Sequence, residues 1–190
     1  MNFCSHCGQP VKKVLLAGDS HPRFQCNGCS RVHYQNPKVL VSCYATWGNK
    51  VLWMRRGIEP CVGKWTAPSG FVEEGESLEQ AAARELFEET CARVDPQQMQ
   101  LHMVGNLVRM NQIYMVFRAP LLSPEFSTTE EASEVRLFAA DEFPIEDFAF
   151  PEVADNVQLF YRDLQRNRFG IYMGTLENGK NTIRVVGRED

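Results

Sequence analysis

The stretch that decides the fold is Gly70-Phe71-Val72-Glu73-Glu74-Gly75-Glu76-Ser77-Leu78-Glu79-Gln80-Ala81-Ala82-Ala83-Arg84-Glu85-Leu86-Phe87-Glu88-Glu89-Thr90. Ser77 is a good N-cap and Gln80, three residues on, completes a capping box. The run Leu78 to Thr90 then has Ala-rich helical composition. On that helix Glu85, Glu88 and Glu89 fall within an arc of about 100°. Leu78, Ala81 and Ala82 lie on the same arc, so the three carboxylates are expected to continue the inward face. Glu85 and Glu89 are a like-charge i, i+4 pair, which costs ~0.2–0.5 kcal/mol when exposed and more when desolvated. A hard divalent cation relieves that repulsion, and Mg²⁺ prefers carboxylate oxygen together with substrate phosphates. The alternative is a solvated glutamate-rich helix; the lack of compensating lysines and the loop ahead of the helix speak against it.

Charge points to the same place. Glu73 to Glu89 hold seven glutamates and one arginine, Arg84, a net −6, so the rest of a chain whose total is −4 carries +2. Concentrated acidity implies a cation site, whereas spread acidity implies only solubility. The 190 residues, 44% hydrophobic and 23% charged, suit one medium globular domain with a small appendage. No stretch approaches the roughly 20 apolar residues of a membrane span. Met1-Asn2-Phe3-Cys4 lacks the basic and apolar regions of a signal peptide, so the expected compartment is the cytoplasm.

The appendage is residues 1–36. Cys4-Ser5-His6-Cys7 and Cys26-Asn27-Gly28-Cys29 form two CxxC knuckles 18 residues apart. Four thiolates at this spacing predict a closed tetrahedral Zn²⁺ site held by Cys4, Cys7, Cys26 and Cys29, structural because no position is left open. His6 is expected to be exposed, and Cys43, Cys61 and Cys91 to be buried or loop thiols. Lys12, Lys13, Arg23, Arg31 and Lys38 are too scattered for a nucleic-acid patch, so nucleic acid is an unlikely partner.

Outward from the helix, Lys38 to Trp47 and Lys50 to Arg56 read as strands joined at Gly48-Asn49. Further strands are expected at Gln100 to Val108, Ile113 to Leu121 and Glu134 to Ala139. Pro151 opens a second helix with an apolar stripe at Val153, Val157, Phe160, Tyr161 and Leu164, and Gly170 lies past its end. Ile171 to Val186 alternates around Asn178-Gly179 as a closing hairpin. Residues 37–168 thus form a catalytic domain and 169–190 a C-terminal β-hairpin extension, in an α+β chain.

Gly70, Glu76 and Arg84-Glu85-Leu86-Phe87-Glu88-Glu89, approached by Gly63-Lys64-Trp65-Thr66-Ala67-Pro68, resemble the Nudix box of the Nudix hydrolases. The resemblance implies a mixed-sheet α/β/α sandwich and hydrolysis of a nucleoside-diphosphate derivative. It makes Glu85, Glu88 and Glu89 ligands of Mg²⁺ (or Mn²⁺), with the Gly70 carbonyl a further ligand. Glu76 and Arg84 become a structural ion pair, and one of the helix glutamates or a later loop acid takes the proton of water. Among Glu130, Glu131 and Glu134, Glu134 is named as that extra base or ligand. Two positions depart from the box: Cys91 stands where a glycine usually ends the helix, so a distorted helix end is expected, and Ser69 replaces the small residue before Gly70.

A ribbon ahead of such a box is similar to the NADH pyrophosphatases, but nothing between Ala92 and Leu121 matches their Ser-Gln-Pro-Trp-Pro-Phe-Pro type motif. Asn2-Phe3-Cys4, Tyr34-Gln35-Asn36-Pro37, Glu134-Val135-Arg136-Leu137-Phe138 and Phe148-Ala149-Phe150 resemble a second ribbon-bearing group, which includes plant plastid FAD and ADP-ribose pyrophosphatases. That resemblance implies FAD or ADP-ribose as substrate, AMP as one product, and a homodimer. Tyr34, Trp65 and Phe148 are candidates for stacking on a base, each also readable as core. The competing classes are an NADH/NAD-type pyrophosphatase, a non-catalytic zinc-ribbon module that binds nucleic acid, and a redox role for the CxxC pairs.

Overall fold

The computed structural model describes residues 1–188, and positions 189 and 190 of the expected hairpin segment lie outside it. Residues 1–37 and 38–190 divide into two compact units. The first is a three-stranded antiparallel sheet of β1 (Val11–Val14), β2 (Arg23–Cys26) and β3 (Val32–His33), in that order.

The second unit is built on a nine-stranded mixed sheet. Its strands are β4 (Lys38–Trp47), β5 (Lys50–Arg56), β6 (Trp65–Thr66), β7 (Ser69–Phe71), β8 (Gln100–Leu107), β9 (Gln112–Pro120), β10 (Ala132–Phe138), β11 (Gly170–Glu177) and β12 (Lys180–Arg188). The order is β10-β5-β4-β9-β8-β11-β12, with β6 on β5 and β7 on β4. The β4–β9 and β8–β11 pairs are parallel and the others antiparallel.

Alternation along the strands makes this sheet the middle of a sandwich. Side chains two apart share a face. Val41, Cys43 and Ala45 of β4, Leu52 and Met54 of β5, and Phe117 and Ala119 of β9 form one buried layer with Ala81, Ala82 and Leu86 of helix α1 (Leu78–Thr90). Tyr44, Val51, Trp53 and Val116, pointing the opposite way, pack under Val157, Phe160 and Tyr161 of helix α2 (Ala154–Arg166). Strands covered on both faces read as continuous apolar runs, which explains the sequence of β4 and β5. Fully burying side chains such as Leu52 and Leu86 contributes about 1.5–3 kcal/mol each. Within the aromatic layer Trp53 Nε1 donates to Tyr161 Oη at 2.8 Å, and Tyr161 Oη donates to the Phe138 carbonyl at 3.0 Å.

Local turn chemistry set the boundaries in most places. Gly48 takes φ 60° in the two-residue loop between β4 and β5, and Asn178 and Gly179 take φ 52° and 74° between β11 and β12, the left-handed pair of a type I′ hairpin. Three details differ from the sequence reading. Pro151 opens a 3-10 turn (Pro151–Val153), and the α-helix begins only at Ala154. Asn167, left-handed at φ 46°, ends that helix, while Gly170 already belongs to β11. The hairpin set apart as an extension instead continues the central sheet, because Tyr172 to Leu176 pair in parallel with Met103 to Leu107. Among the described residues no helix is long and apolar enough to cross a membrane.

Candidate active site and metal centres

Ser77 caps α1 as its sequence requires. Its hydroxyl accepts from the Gln80 N–H at 3.2 Å, and the Gln80 side chain accepts from the Ser77 N–H at 2.8 Å. At the other end Cys91 adopts the left-handed conformation at φ 58°, and its N–H closes on the Phe87 carbonyl at 2.7 Å. The expected distortion is therefore absent: the helix ends regularly, with cysteine carrying the strain that glycine would avoid.

The three carboxylates are not equivalent. Glu89 is 7% exposed and accepts the Ser69 N–H at 2.8 Å. Glu85 is half-buried against β7, with its carboxylate lying where a Cβ on Gly70 would stand. Glu88 is exposed, contrary to the expectation that all three face inward, and accepts from Arg84 at 3.1 Å. Rotation does not account for this, since Ala81, two turns earlier and about 20° from Glu88, is fully buried; Glu88 stands beside exposed Phe87 near the C-terminal end of the helix. Burial pushes the Glu89 carboxyl up to about 8, against the Ser69 N–H, with the charges of Glu85 and Glu131 raising it further and Arg56 lowering it. Burial also raises Glu85, opposed by Arg84 and reinforced by Glu88 and Glu131.

Arg84 ties the loop to this helix. Its Nε and Nη2 donate to the two oxygens of Glu76 at 3.0 and 2.7 Å, Nη2 also to the Phe71 carbonyl, and Nη1 to Glu85 at 2.8 Å. The Glu76 carboxyl is held low by Arg84, helped by the Glu73 N–H. This bidentate pair connects β7, the loop after it and two of the glutamates through one guanidinium.

Glu134 is not in the loop where it was expected. It lies within β10, past a bulge between Ala132 and Glu134, and accepts from Arg55 Nε at 3.1 Å. Arg55 also donates to the Gly63 carbonyl and to Asp147. The loop acid whose charge reaches both Glu85 and Glu89 is Glu131. Its carbonyl accepts the Gly57 N–H at 2.8 Å, and a Cβ on Gly57 would collide with the backbone of Glu130 and Glu131. Choosing between the acids required the register of the bulge, which no local sequence signal gives.

Beside Ser69 a cleft of about 150 Å³ opens, walled by Tyr44, Tyr114, Phe148, Phe150 and Val153, with Asn156 and Gln112 among its polar groups. Phe148 therefore lines the cleft. Trp65 does not: it is 1% exposed, packed edge-on against Phe138, with the Arg55 guanidinium 4.6 Å above its ring. Covered on that face, it supports the approach loop and leaves a base no platform. Tyr34 belongs to the ribbon unit, where it is exposed with Arg23 over its ring at 5.1 Å; the cleft is built without it. Sequence reading missed Ser69, Arg56, Tyr114 and Phe150 as site residues. Ser69, visible as a departure from the box, and Phe150, within the Phe148-Ala149-Phe150 motif, carried a signal; Arg56 and Tyr114 did not.

In the ribbon unit the Sγ atoms of Cys4, Cys7, Cys26 and Cys29 lie within 4.8 Å of one another. Backbone N–H groups converge on them, His6 on Cys4 at 3.4 Å and Gly28 and Cys29 on Cys26 at 3.3 and 3.4 Å. The Cys29 N–H, with burial opposing and the Gly28 N–H assisting, draws the Cys26 thiol down to about 6. Such donors stabilise thiolates, so the set fits a closed Zn²⁺ site. His6 is exposed, Cys43 is buried, Cys61 is half-buried and Cys91 is exposed.

The NUDIX domain model matches residues 36–160, and the Nudix N-terminal zinc-ribbon model matches residues 2–35. A crystal structure of a NUDIX hydrolase from Nitrosomonas europaea is similar at TM-score 0.87 and 43% identity, over 92% of this chain and 98% of that one. A NAD-capped RNA hydrolase of Edwardsiella ictaluri is 35% identical over 92 residues, 48% of this chain and 34% of that relative. An ADP-ribose pyrophosphatase of Methanocaldococcus jannaschii is 31% identical over 115 residues, 58% of this chain and 67% of that relative. The chain thus spans only about a third of the length of the first of these relatives and two thirds of the second. Matched across most of its length, the chain belongs to the Nudix family, whose enzymes act on pyrophosphate bonds, and it carries that family's N-terminal zinc ribbon.

Proposed function

We propose that the protein hydrolyses the diphosphate linkage of a nucleoside-diphosphate derivative such as FAD or ADP-ribose, releasing AMP and a second monophosphate. The observation that carries this reading is the pair Glu85 and Glu89, two carboxylates packed against β7, whose Ser69 donates its N–H to Glu89 and also lines the aromatic cleft. Two half-buried to buried acids, with no ion pair to Glu89 among the described residues, form a hard-oxygen donor set that a divalent cation satisfies.

Glu85, Glu88 and Glu89, with the Gly70 carbonyl, would hold Mg²⁺ or Mn²⁺. When bound, the cation polarises the diphosphate and stabilises the attacking and leaving oxygens. Phe148 and Phe150 receive a ring of the substrate, which sets the diphosphate beside Ser69. Water attacks phosphorus, the bridging P–O bond breaks, and the proton of the attacking water passes to a carboxylate. Glu131, whose charge acts on both Glu85 and Glu89, is the acid we assign that role in place of Glu134. Arg84 fixes the loop and Glu85 without touching substrate. Mg²⁺ as the working ion and assembly as a homodimer belong to the same proposal.

FAD rests on the sequence resemblance, while ADP-ribose is also in the name of the Methanocaldococcus jannaschii relative. The likeness to a NAD-capped RNA hydrolase favours a second reading, in which the substrate is NAD or an RNA bearing it. The test is incubation with Mg²⁺ and FAD, ADP-ribose, NADH, NAD and nucleoside triphosphates, with products separated by liquid chromatography. AMP from FAD or ADP-ribose, lost in Glu88→Gln, supports the first reading. AMP from NAD or NADH alone selects the second. No turnover of any member with Mg²⁺ or Mn²⁺ overturns both and favours a ribbon-bearing binding module.

A further inference from the structure

The cleft beside Ser69 does not end at its aromatic walls. A second cavity of about 320 Å³ continues it, and Leu107, Met110, Glu152 and Leu176 line both. Its far side is the β11–β12 turn, Asn178 and Gly179, facing Arg109 from the 3-10 turn Val108–Met110. The inner space of about 150 Å³ lies below the ~300–1,000 Å³ range of ligand pockets, whereas the outer one falls at its lower end. Met110, which lines both spaces, is 57% exposed, an apolar side chain at this mouth. Arg109 is exposed and has no carboxylate partner among the described residues, while its guanidinium presents donors to the same space. Apolar walls of leucine and adaptable methionine, with donors at the rim, complement a flat ring whose faces are apolar and whose edge carries carbonyl oxygens.

We infer that this outer compartment binds a planar heteroaromatic ring of the substrate, and that the C-terminal hairpin thereby selects dinucleotides over nucleoside-diphosphate sugars. The inference rests on the reading of Glu85, Glu88 and Glu89 as the reacting centre and adds to it a specificity role for Arg109, Met110 and the turn at Asn178-Gly179. It also gives the parallel pairing of β11 on β8 a purpose, since that pairing brings Leu176 level with Leu107. The type I′ geometry of the turn fixes the outer wall as a rigid edge.

Arg109 is exposed and lines only the outer compartment, so substituting it leaves the core and the inner cleft untouched. The test compares the wild-type protein with Arg109→Ala and with Arg109→Lys, each checked by thermal melting. Steady-state kinetics on FAD, NADH and ADP-ribose are joined by a fluorescence titration with flavin mononucleotide and an isothermal titration with ribose 5-phosphate, both in Mg²⁺. The expected result in Arg109→Ala is a KM about tenfold higher for FAD or NADH, with kcat within twofold and the KM of ADP-ribose unchanged. Flavin mononucleotide should bind about tenfold more weakly and ribose 5-phosphate equally, and Arg109→Lys, which keeps a donor there, should recover part of the loss. Equal effects on ring-bearing and sugar substrates, or none on either, overturn the inference while leaving the reacting centre intact. If the wild type cleaves nothing, the reading of the centre fails, and the two titrations still decide whether the compartment prefers a ring.

Discussion

The carboxylate of Glu85 lies against the Cα of Gly70, filling the space a Cβ at position 70 would need. Strand β7 and helix α1 meet at this point, and the backbone of one approaches a charged side chain of the other more closely than any residue but glycine allows. Gly70 is not at positive φ, so an alanine there is not strained by its own backbone. Gly70→Ala is therefore expected to push the Glu85 carboxylate aside. Because that carboxylate is the free end of a side chain, the melting temperature should move little. The kcat should fall about 10–100-fold, the usual cost of disturbing a group that orients a metal ligand. Kinetics beside a thermal melt check this, and a large loss of stability with normal residual activity would contradict it.

Glu89 predicts a pH dependence of the metal-free protein. Its carboxyl stands near 8 in the folded state against an ordinary value of 4.5. Between those values the folded state binds more protons than the unfolded one, so stability falls as pH rises through the window. The slope is at most about 1.4 kcal/mol per pH unit, and it vanishes above 8. Urea denaturation at several pH values with EDTA should show the decline. Glu89→Gln should flatten it, and Mg²⁺ should stabilise the wild type more at high pH than at low. A metal-free stability that rises between pH 5 and 8 through Glu89 would be the wrong sign.

On the proposed mechanism, Glu131 and Glu134 are expected to separate by function. Glu131→Gln is expected to lower kcat by about 10²-fold or more, as loss of a proton acceptor does. Glu134→Gln removes one of the partners of Arg55 and should leave kcat within a few-fold, because Asp147 and the Gly63 carbonyl still hold that guanidinium. Steady-state kinetics of the two variants beside the wild type distinguish them, and equal losses of kcat in Glu131→Gln and Glu134→Gln would contradict the assignment.

The ribbon should contain one zinc per chain. Cys26→Ser, which removes the thiolate receiving two N–H groups, should release it. Amide exchange in residues 1–37 is expected to become fast, with the exchange of β4, β5 and β9 unchanged, since the two units are separately compact. Metal analysis with hydrogen exchange decides it, and retention of full zinc by Cys26→Ser would rule out the four-cysteine site.

What could be read from sequence was local. The capping box at Ser77 and Gln80, the turn at Asn178-Gly179 and the CxxC spacing each depend on residues a few positions apart, and the structure has them where those residues stand. The burial of Glu89, set by helical rotation beside Ala81 and Ala82, was legible for the same reason. The exposure of Glu88 was not, because Ala81 on nearly the same azimuth is buried, and how far that cover extends along α1 depends on which elements it meets. Glu131 could not be preferred to Glu134 without the bulge in β10 and the approach of Gly57. Nor could the hairpin be placed, since its pairing with β8 joins segments about 70 residues apart. The ring of Trp65 looked available for stacking until Arg55, brought over it by β5, covered its face.

The most direct measurement is phosphorus NMR of FAD and ADP-ribose turnover in ¹⁸O-enriched water with Mg²⁺, run beside Glu85→Gln. Hydrolysis of the diphosphate at this carboxylate helix predicts two monophosphate resonances, one of them carrying the isotope shift of a single ¹⁸O, and neither resonance in the variant. Monophosphates formed at equal rates by wild type and Glu85→Gln, or a product whose only broken bond lies outside the diphosphate, would contradict the account.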